Sequence, residues 1–343
     1  MPAPVTTSNY DALIVVSFGG PEGMNEVIPF LENVLRGKNV PRERMLAVAR
    51  HYELFNGVSP INAQNRQLIA SLQHEFAANG PHLPIYFGNR NWHPLLPDTL
   101  RQMRNDGVRK ALAFVTSAYS SYSSCRQYLE NIEAARASIA DAPQVDKIRA
   151  FYNHPEFIRA NAEQIEAVLA EVPEPQREYL HVVFTAHSIP HSMAASCDYA
   201  KQLQEAARLV FLQLGDGKAA PSGYSLAYQS RSGSPAQPWL EPDISDHLKT
   251  LKVAGITDVV VAPIGFVSDH IEVLYDLDHE AQEVAKQLGI NMRRARTAGS
   301  HPAFVKMVRE LVLERMDQTM QRRFQGNGGI RPDFCAPGCC EFN

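Results

Sequence analysis

Two stretches of this chain, DTLRQMRNDGVRKALAFV (98–115) and DHLKTLKVAGITDVVVAP (246–263), align without a gap. Each sets apolar residues at helical spacing, then a glycine (Gly107, Gly255) suited to end a helix, then an apolar run of strand character. Three strand-like runs occur in each half: 12–20, 84–90 and 111–119, then 179–188, 224–231 and 259–266. Strands alternating with helices argue for βαβ units and parallel sheets with helices on both faces. Generic βαβ units resemble one another by chance, but the unbroken alignment favours duplication over one large sheet. The expected organisation is two similar α/β domains over 9–150 and 151–301, with a linker near 138–155. A closing helix over 302–325 and a cysteine-bearing tail over 326–343 follow.

Composition removes several functions. A net charge of −4 and a pI near 6.3 give no nucleic-acid footprint. No apolar run reaches the roughly 18 residues of a membrane span, and MPAPVTTSNYDA lacks the pattern of a secretion signal. A cytoplasmic, monomeric protein without an integral membrane segment is the expectation. Phosphate-loop and GxGxxG signatures are absent, as are HExxH and CxxC metal motifs.

The chemistry concentrates in VVVAPIGFVSDHIEVLYDLDHEA (259–281), a buried strand that turns into a helix at Ser268 and Asp269. On that helix Glu272, Asp276 and Glu280 fall at i, i+4 and i+8, one stripe of like charge. The stripe suits a path for a cation or for protons, although a solvated acidic face has the same pattern. In open α/β sheets, ligands bind beyond the carboxyl ends of the strands. That rule gathers Phe18, Asn89-Arg90, Tyr119, His187-Ser188, Gln229-Ser230 and 268–272. Two such edges facing each other make a cleft. His187 alone reads more readily as a hydrogen-bonded core histidine; beside Glu272 it becomes the natural acid–base or metal partner.

LIVVSFGGPEG, NGVSPIN, FTAHSIP, AYQSRSG, PWLEPD and PIGFVSDHIEVLYDLD, in that order, resemble the ferrochelatase family from about residue 10 to 325. The resemblance implies two similar Rossmann-like domains with a porphyrin in the cleft between them, and insertion of Fe²⁺ with loss of two pyrrole protons. It makes His187 and Glu272 the catalytic and metal-site residues, with Asp276 and Glu280 as an iron or proton path. Imidazole and carboxylate bind divalent iron and exchange protons near neutrality. Phe18 stands where some members carry a Tyr or Met close to the metal; Phe cannot ligate, so it is expected against the macrocycle, or else in the core.

For the substrate, the segment 35–62 carries Arg36, Lys38, Arg42, Arg44 and Arg50 where protoporphyrin-type members have an apolar, membrane-dipping lip. A basic rim suits the tetra-acid coproporphyrin III, and the chain most resembles the actinobacterial, coproheme-forming group. Plain surface arginines remain an alternative. Ser59-Pro60 reads as a helix start able to receive a propionate. Tyr119 and Tyr128 complete the expected porphyrin-binding set. Some ferrochelatases hold a [2Fe–2S] cluster on one internal and three C-terminal cysteines, and Cys197, Cys335, Cys339 and Cys340 resemble that arrangement. The adjacent Cys339-Cys340 pair departs from the family spacing, zinc or a reduced tail fits the same residues, and Cys125 reads as an ordinary buried thiol. A chelatase for another tetrapyrrole and a non-catalytic porphyrin carrier share much of this pattern; the carrier has no need of the acidic stripe.

Overall fold

The computed structural model describes residues 10–38, 40–215, 221–232, 236–336 and 338–341. Residue 9, where the first domain is expected to begin, residue 233 of the AYQSRSG motif, and residues 337, 342 and 343 of the tail lie outside them. Strands β1 (Ala12–Ser17), β2 (Ile85–Asn89), β3 (Lys110–Val115) and β4 (Gln144–Lys147) form one sheet in the order β2-β1-β3-β4. Strands β5 (His181–His187), β6 (Gly223–Gln229), β7 (Asp258–Ala262) and β8 (Asn291–Arg294) form a second in the order β6-β5-β7-β8. Every pairing is parallel. The two halves are therefore the same α/β unit twice. The aligned segments become equivalent helices, Leu96–Asn105 and Ile244–Val253. Gly107 and Gly255 follow them with the same left-handed φ of 84°, a conformation that would strain any residue with a Cβ.

Burial follows the period-two alternation of the strands. Leu13, Val15, Val182, Phe184, Val260 and Ala262 enter one core common to both halves. Ala12, Ile14 and Val16 enter an outer core on the first half, and Val183, Val259 and Val261 one on the second. The helix Pro302–Met316 contributes Phe304, Met307, Val308 and Leu311 to the common core. Phe304 packs there among Phe114, Phe151 and Phe157, with ring centroids 5.3–6.3 Å apart. No helix among the described residues is long and apolar enough to cross a membrane.

The segment 138–155, where the linker is expected, also holds β4, and Arg149, Phe151, Tyr152, Asn153 and His154 within it are buried. Arg149 in this segment pairs with Glu314 of the closing helix at 2.9 Å. That helix ends at Met316 rather than near 325. The Asp317 carboxylate accepts from the Thr319 amide at 2.9 Å, a local turn that competes with the helix. Arg323 then folds back onto Glu310 (2.7 Å) and Glu156 (3.2 Å).

Candidate active site

His187 ends β5, and its ring orientation is set by its own neighbourhood. Its Nδ1 lies 2.5 Å from the Ser188 carbonyl oxygen. A carbonyl only accepts, so the proton sits on Nδ1 and the Nε2 lone pair is free. Tyr199 donates to the His187 carbonyl at 3.0 Å and fixes the strand end. The free Nε2 faces the Glu272 carboxylate at 3.7 Å. His270 Nδ1 lies 3.9 Å from the same oxygen, and burial holds its pKa below the usual histidine range. The two elements meet because Gly265 has no side chain: a Cβ there would stand 2.5 Å from the Ala186 Cβ. With 33% of the His187 side chain and 48% of the Glu272 side chain exposed, both reach into open space.

The acid-bearing segment is wound more loosely than expected. Over Leu274–Ala281 it is a π-helix, following one short α-turn at Ile271–Val273. Apolar spacing in sequence fits either form, and π segments concentrate at functional sites. The acids stay close enough to feel one another. Burial first, then the charges of Glu272 and Glu280, push the Asp276 carboxyl up to about 8. Ser230 donates a short hydrogen bond to Asp276, and Gln229 Nε2 donates at 3.4 Å. Ser230 does so from a left-handed backbone (φ 62°), a conformation uncommon outside glycine. Asp276 therefore carries a proton at neutral pH beside a more open carboxylate. On the rim, His51 stacks on Tyr275 with centroids 3.7 Å apart and planes at 4°.

The facing wall comes from the first half. Phe18 is 38% exposed, and the Arg90 guanidinium lies 5.7 Å from its ring centroid and 4.5 Å from that of Tyr128. Arg90 Nε meets no acceptor, and no carboxylate pairs with this residue among the described residues. Ser59 is buried against Gly20, where a Cβ would approach to 2.7 Å. The helix begins at Ile61 with Pro60 as its N-cap, one residue later than the Ser59 cap expected.

A chain with this wall, this histidine and these carboxylates matches the ferrochelatase family model over residues 10–316. It belongs to the ferrochelatase family. It is 54% identical to the ferrochelatase of Rhodopirellula baltica over 336 residues, covering 97% of this chain and 94% of that one. It is 47% identical to the coproporphyrin III ferrochelatase of Streptomyces coelicolor, covering 99% and 96%, and 44% to that of Mycolicibacterium smegmatis, covering 96% and 99%. Among solved structures, SirB from Bacillus subtilis with Fe³⁺ superposes with a TM-score of 0.54 at 13% identity, over 90% of this chain and 99% of SirB. CbiX gives 0.51 at 10%, over 88% and 98%. At those identities the likeness is one of fold, and the fold is that of chelatases. Family membership makes this a metal-inserting enzyme of haem biosynthesis with a porphyrin as its organic substrate.

The remaining ferrochelatase positions are placed as follows. Tyr119 does not reach the cleft: it is 1% exposed, and its hydroxyl donates to the Ile264 carbonyl at 3.0 Å. Beyond the end of β3 its ring turns inward against Tyr152 and Phe157, so it ties the two halves together. Tyr128 is 5% exposed and serves as the platform under Arg90. Sequence reasoning missed His270 and the pairing of Arg90 with its two rings. His270 stood unmarked inside SDHIEVL; the Arg90 arrangement has no local signal. Among the described residues, no group of three or more His, Cys, Asp or Glu side chains is set to hold a metal ion.

All five cysteines gather near the tail. Cys125 is not an isolated thiol: it donates to Cys335, a contact that raises its own pKa and holds Cys335 down to about 7. Cys339 and Cys340 stand with their sulfurs 3.7 Å apart. Cys197, half-buried and donating to the Met193 carbonyl, lies within charge range of both. Arg331 pairs with Asp198 at 3.1 Å and helps seat the tail there.

Proposed function

We propose that this ferrochelatase inserts Fe²⁺ into coproporphyrin III to give coproheme. The choice of substrate is carried by the basic rim of which Arg90 is part, because coproporphyrin III brings four propionates to that rim and protoporphyrin IX only two. A guanidinium laid on Phe18 and Tyr128, with no carboxylate partner among the described residues and Lys38 within charge range, is a docking point for a propionate. The relatives named coproporphyrin III ferrochelatases support the same reading. A protoporphyrin reading draws on Leu46 and Leu54, which leave the rim less polar than its arginines suggest.

In the reaction the porphyrin lies between Phe18 and the His187–Glu272 pair. The His187 Nε2 lone pair accepts one pyrrole proton, and the new imidazolium rests against the Glu272 carboxylate. Glu272 takes the second proton, and the stripe through Asp276 to Glu280 returns protons to solvent. Two protons leave as one Fe²⁺ enters, so the macrocycle keeps its charge. Anaerobic Fe²⁺ insertion with coproporphyrin III and protoporphyrin IX side by side tests the substrate. The expected result is at least a tenfold higher kcat/KM for coproporphyrin, about 1.4 kcal/mol of discrimination; equal or reversed values would remove coproporphyrin from the proposal.

We also propose a [2Fe–2S] cluster at the tail, which requires four thiolates. The support is one sulfur pair and the gathering of the other thiols near it, since no group of three ligands among the described residues is already set to hold a metal. Two thiolates on one tetrahedral metal, with metal–sulfur bonds of about 2.3 Å, stand about 3.8 Å apart, close to the 3.7 Å between Cys339 and Cys340. Those two, Cys335, and one of Cys125 and Cys197 would hold it, and it would cross-link the tail to the body of the protein. Anaerobically prepared protein is expected to carry iron and acid-labile sulfide in equal amounts. Cys335→Ser should lose both, and unchanged sulfide in that variant rules the site out.

A further inference from the structure

We propose that Arg294 is a positioning residue for metal insertion, clamping the acid-bearing segment at both flanks and registering it against the opposite wall of the cleft. Arg294 ends β8, and only 16% of its side chain is exposed. Its guanidinium holds two carboxylates at once. Nε and Nη2 donate to Asp278 at 2.6 and 2.9 Å, while Nη1 and Nη2 donate to Asp269 at 3.1 and 3.4 Å. Asp269 and Asp278 bracket His270, Glu272 and Asp276 in sequence. The stretch from Asp269 to Asp278, with His270, Glu272 and Asp276 inside it, is thus pinned at both ends to one planar group.

The clamp continues across the cleft. The Asp269 amide donates to Gln64 Oε1 at 2.8 Å, and Gln64 Nε2 donates back to the Asp269 carboxylate at 3.4 Å. Gln64 lies in the first turn of the helix Ile61–Asn79, beside Ser59 and the Phe18 loop. Arg294 therefore links the side that handles iron and protons to the side that receives the porphyrin, yet touches neither substrate. The need for a clamp is local. Glu272 approaches its imidazole neighbours at 3.7 and 3.9 Å, too far for close hydrogen bonds, so nothing in the pair itself holds the carboxylate in place. Its backbone is held from outside: Gln229 Nε2 donates to the Glu272 carbonyl at 3.4 Å on one side, and Arg294 grips Asp278 of the π-helix on the other. Bidentate charge-assisted hydrogen bonds fix orientation as well as distance, and a misplacement of about 1 Å at a reacting group costs on the order of 10²-fold in rate.

The inference rests on the metal-insertion reading, and the experiment separates the two. Wild type, Arg294→Gln, Arg294→Lys and Asp278→Asn are assayed for Fe²⁺ insertion on whichever porphyrin wild type converts faster, with porphyrin affinity taken from fluorescence quenching. Arg294→Gln is expected to lower kcat by about 10- to 100-fold and raise KM for Fe²⁺, while porphyrin Kd stays within about twofold. Arg294→Lys should recover part of kcat, because an ammonium cannot grip both carboxylates. Asp278→Asn, which leaves the arginine in place, should reproduce the kcat loss in milder form and keeps the test open if Arg294→Gln does not fold. Wild-type kcat in Arg294→Gln or Asp278→Asn overturns the clamp, as does a parallel loss of kcat, porphyrin affinity and Tm without rescue by lysine. A wild type that converts neither porphyrin overturns the underlying reading instead, and the clamp with it.

Discussion

Replacing Glu272 by Gln is expected to lower Fe²⁺ insertion by about 10²- to 10³-fold while leaving porphyrin affinity within about twofold. The amide keeps the shape of the side chain and removes its ability to take a proton or face a cation. Its partners change accordingly. The His187 Nε2 lone pair, 3.7 Å away, still accepts a first pyrrole proton, but the imidazolium that forms has lost its counter-charge. His270, whose charged form burial already disfavours, cannot stand in for a carboxylate. Asp276 is a poor replacement, because burial, the largest cause, still holds its carboxyl above the usual carboxylate range once the Glu272 charge is gone. The loss should therefore be deepest at low pH and shrink as the pH rises and Asp276 ionises, which it does at lower pH in the variant than in wild type because the Glu272 charge no longer opposes it. Folding is little affected, since an exposed carboxylate held by no close hydrogen bond contributes within about 0.5 kcal/mol. Stopped-flow loss of the free-base porphyrin spectrum across pH 6–9 reads all of this. A full insertion rate in the variant would remove Glu272 from the catalytic machinery.

The parts of this architecture that were legible in sequence are those written in long apolar runs. Six strands announce themselves through stretches such as Val259–Ala262, and the duplication through one ungapped alignment. The strands β4 and β8 do not: QVDK and NMRR contain one apolar residue each and sit at the sheet edges, where only one neighbour needs to be matched. His187 and Glu272 come together as the strand-end rule suggests, since β5 and β7 are adjacent in the sheet. Tyr119 obeys the same rule on paper and violates it in space, because nothing in TSAYSS reports that the chain turns its ring inward to meet Ile264. The π-winding at 274–281 is silent for a similar reason: a hydrophobic period cannot separate it from an α-helix. The contact between Cys125 and Cys335 joins distant parts of the chain, and no local pattern encodes it.

The joint between the halves offers the sharpest stability test. Arg149, in the buried crossover, and Glu314, on the closing helix, are 1% and 2% exposed and pair through two hydrogen bonds of 2.9 and 3.0 Å. Arg149 Nη2 also donates to the Arg323 carbonyl at 3.0 Å. Glu314→Gln leaves the guanidinium buried with no counter-charge, and the expected cost is about 3–5 kcal/mol. Urea unfolding should show a lower midpoint at an unchanged slope for the first transition. Arg149→Met with Glu314→Leu removes both charges together and should recover most of the loss, because a buried pair replaced by apolar side chains is close to neutral. That recovery separates the pair's net contribution from the penalty of orphaning one partner. A single variant within about 1 kcal/mol of wild type would mean that water reaches the joint on opening and the burial is not maintained. Where the variant remains folded, its insertion rate should match wild type, since the joint lies in the common core and holds the two walls of the cleft together without touching either substrate.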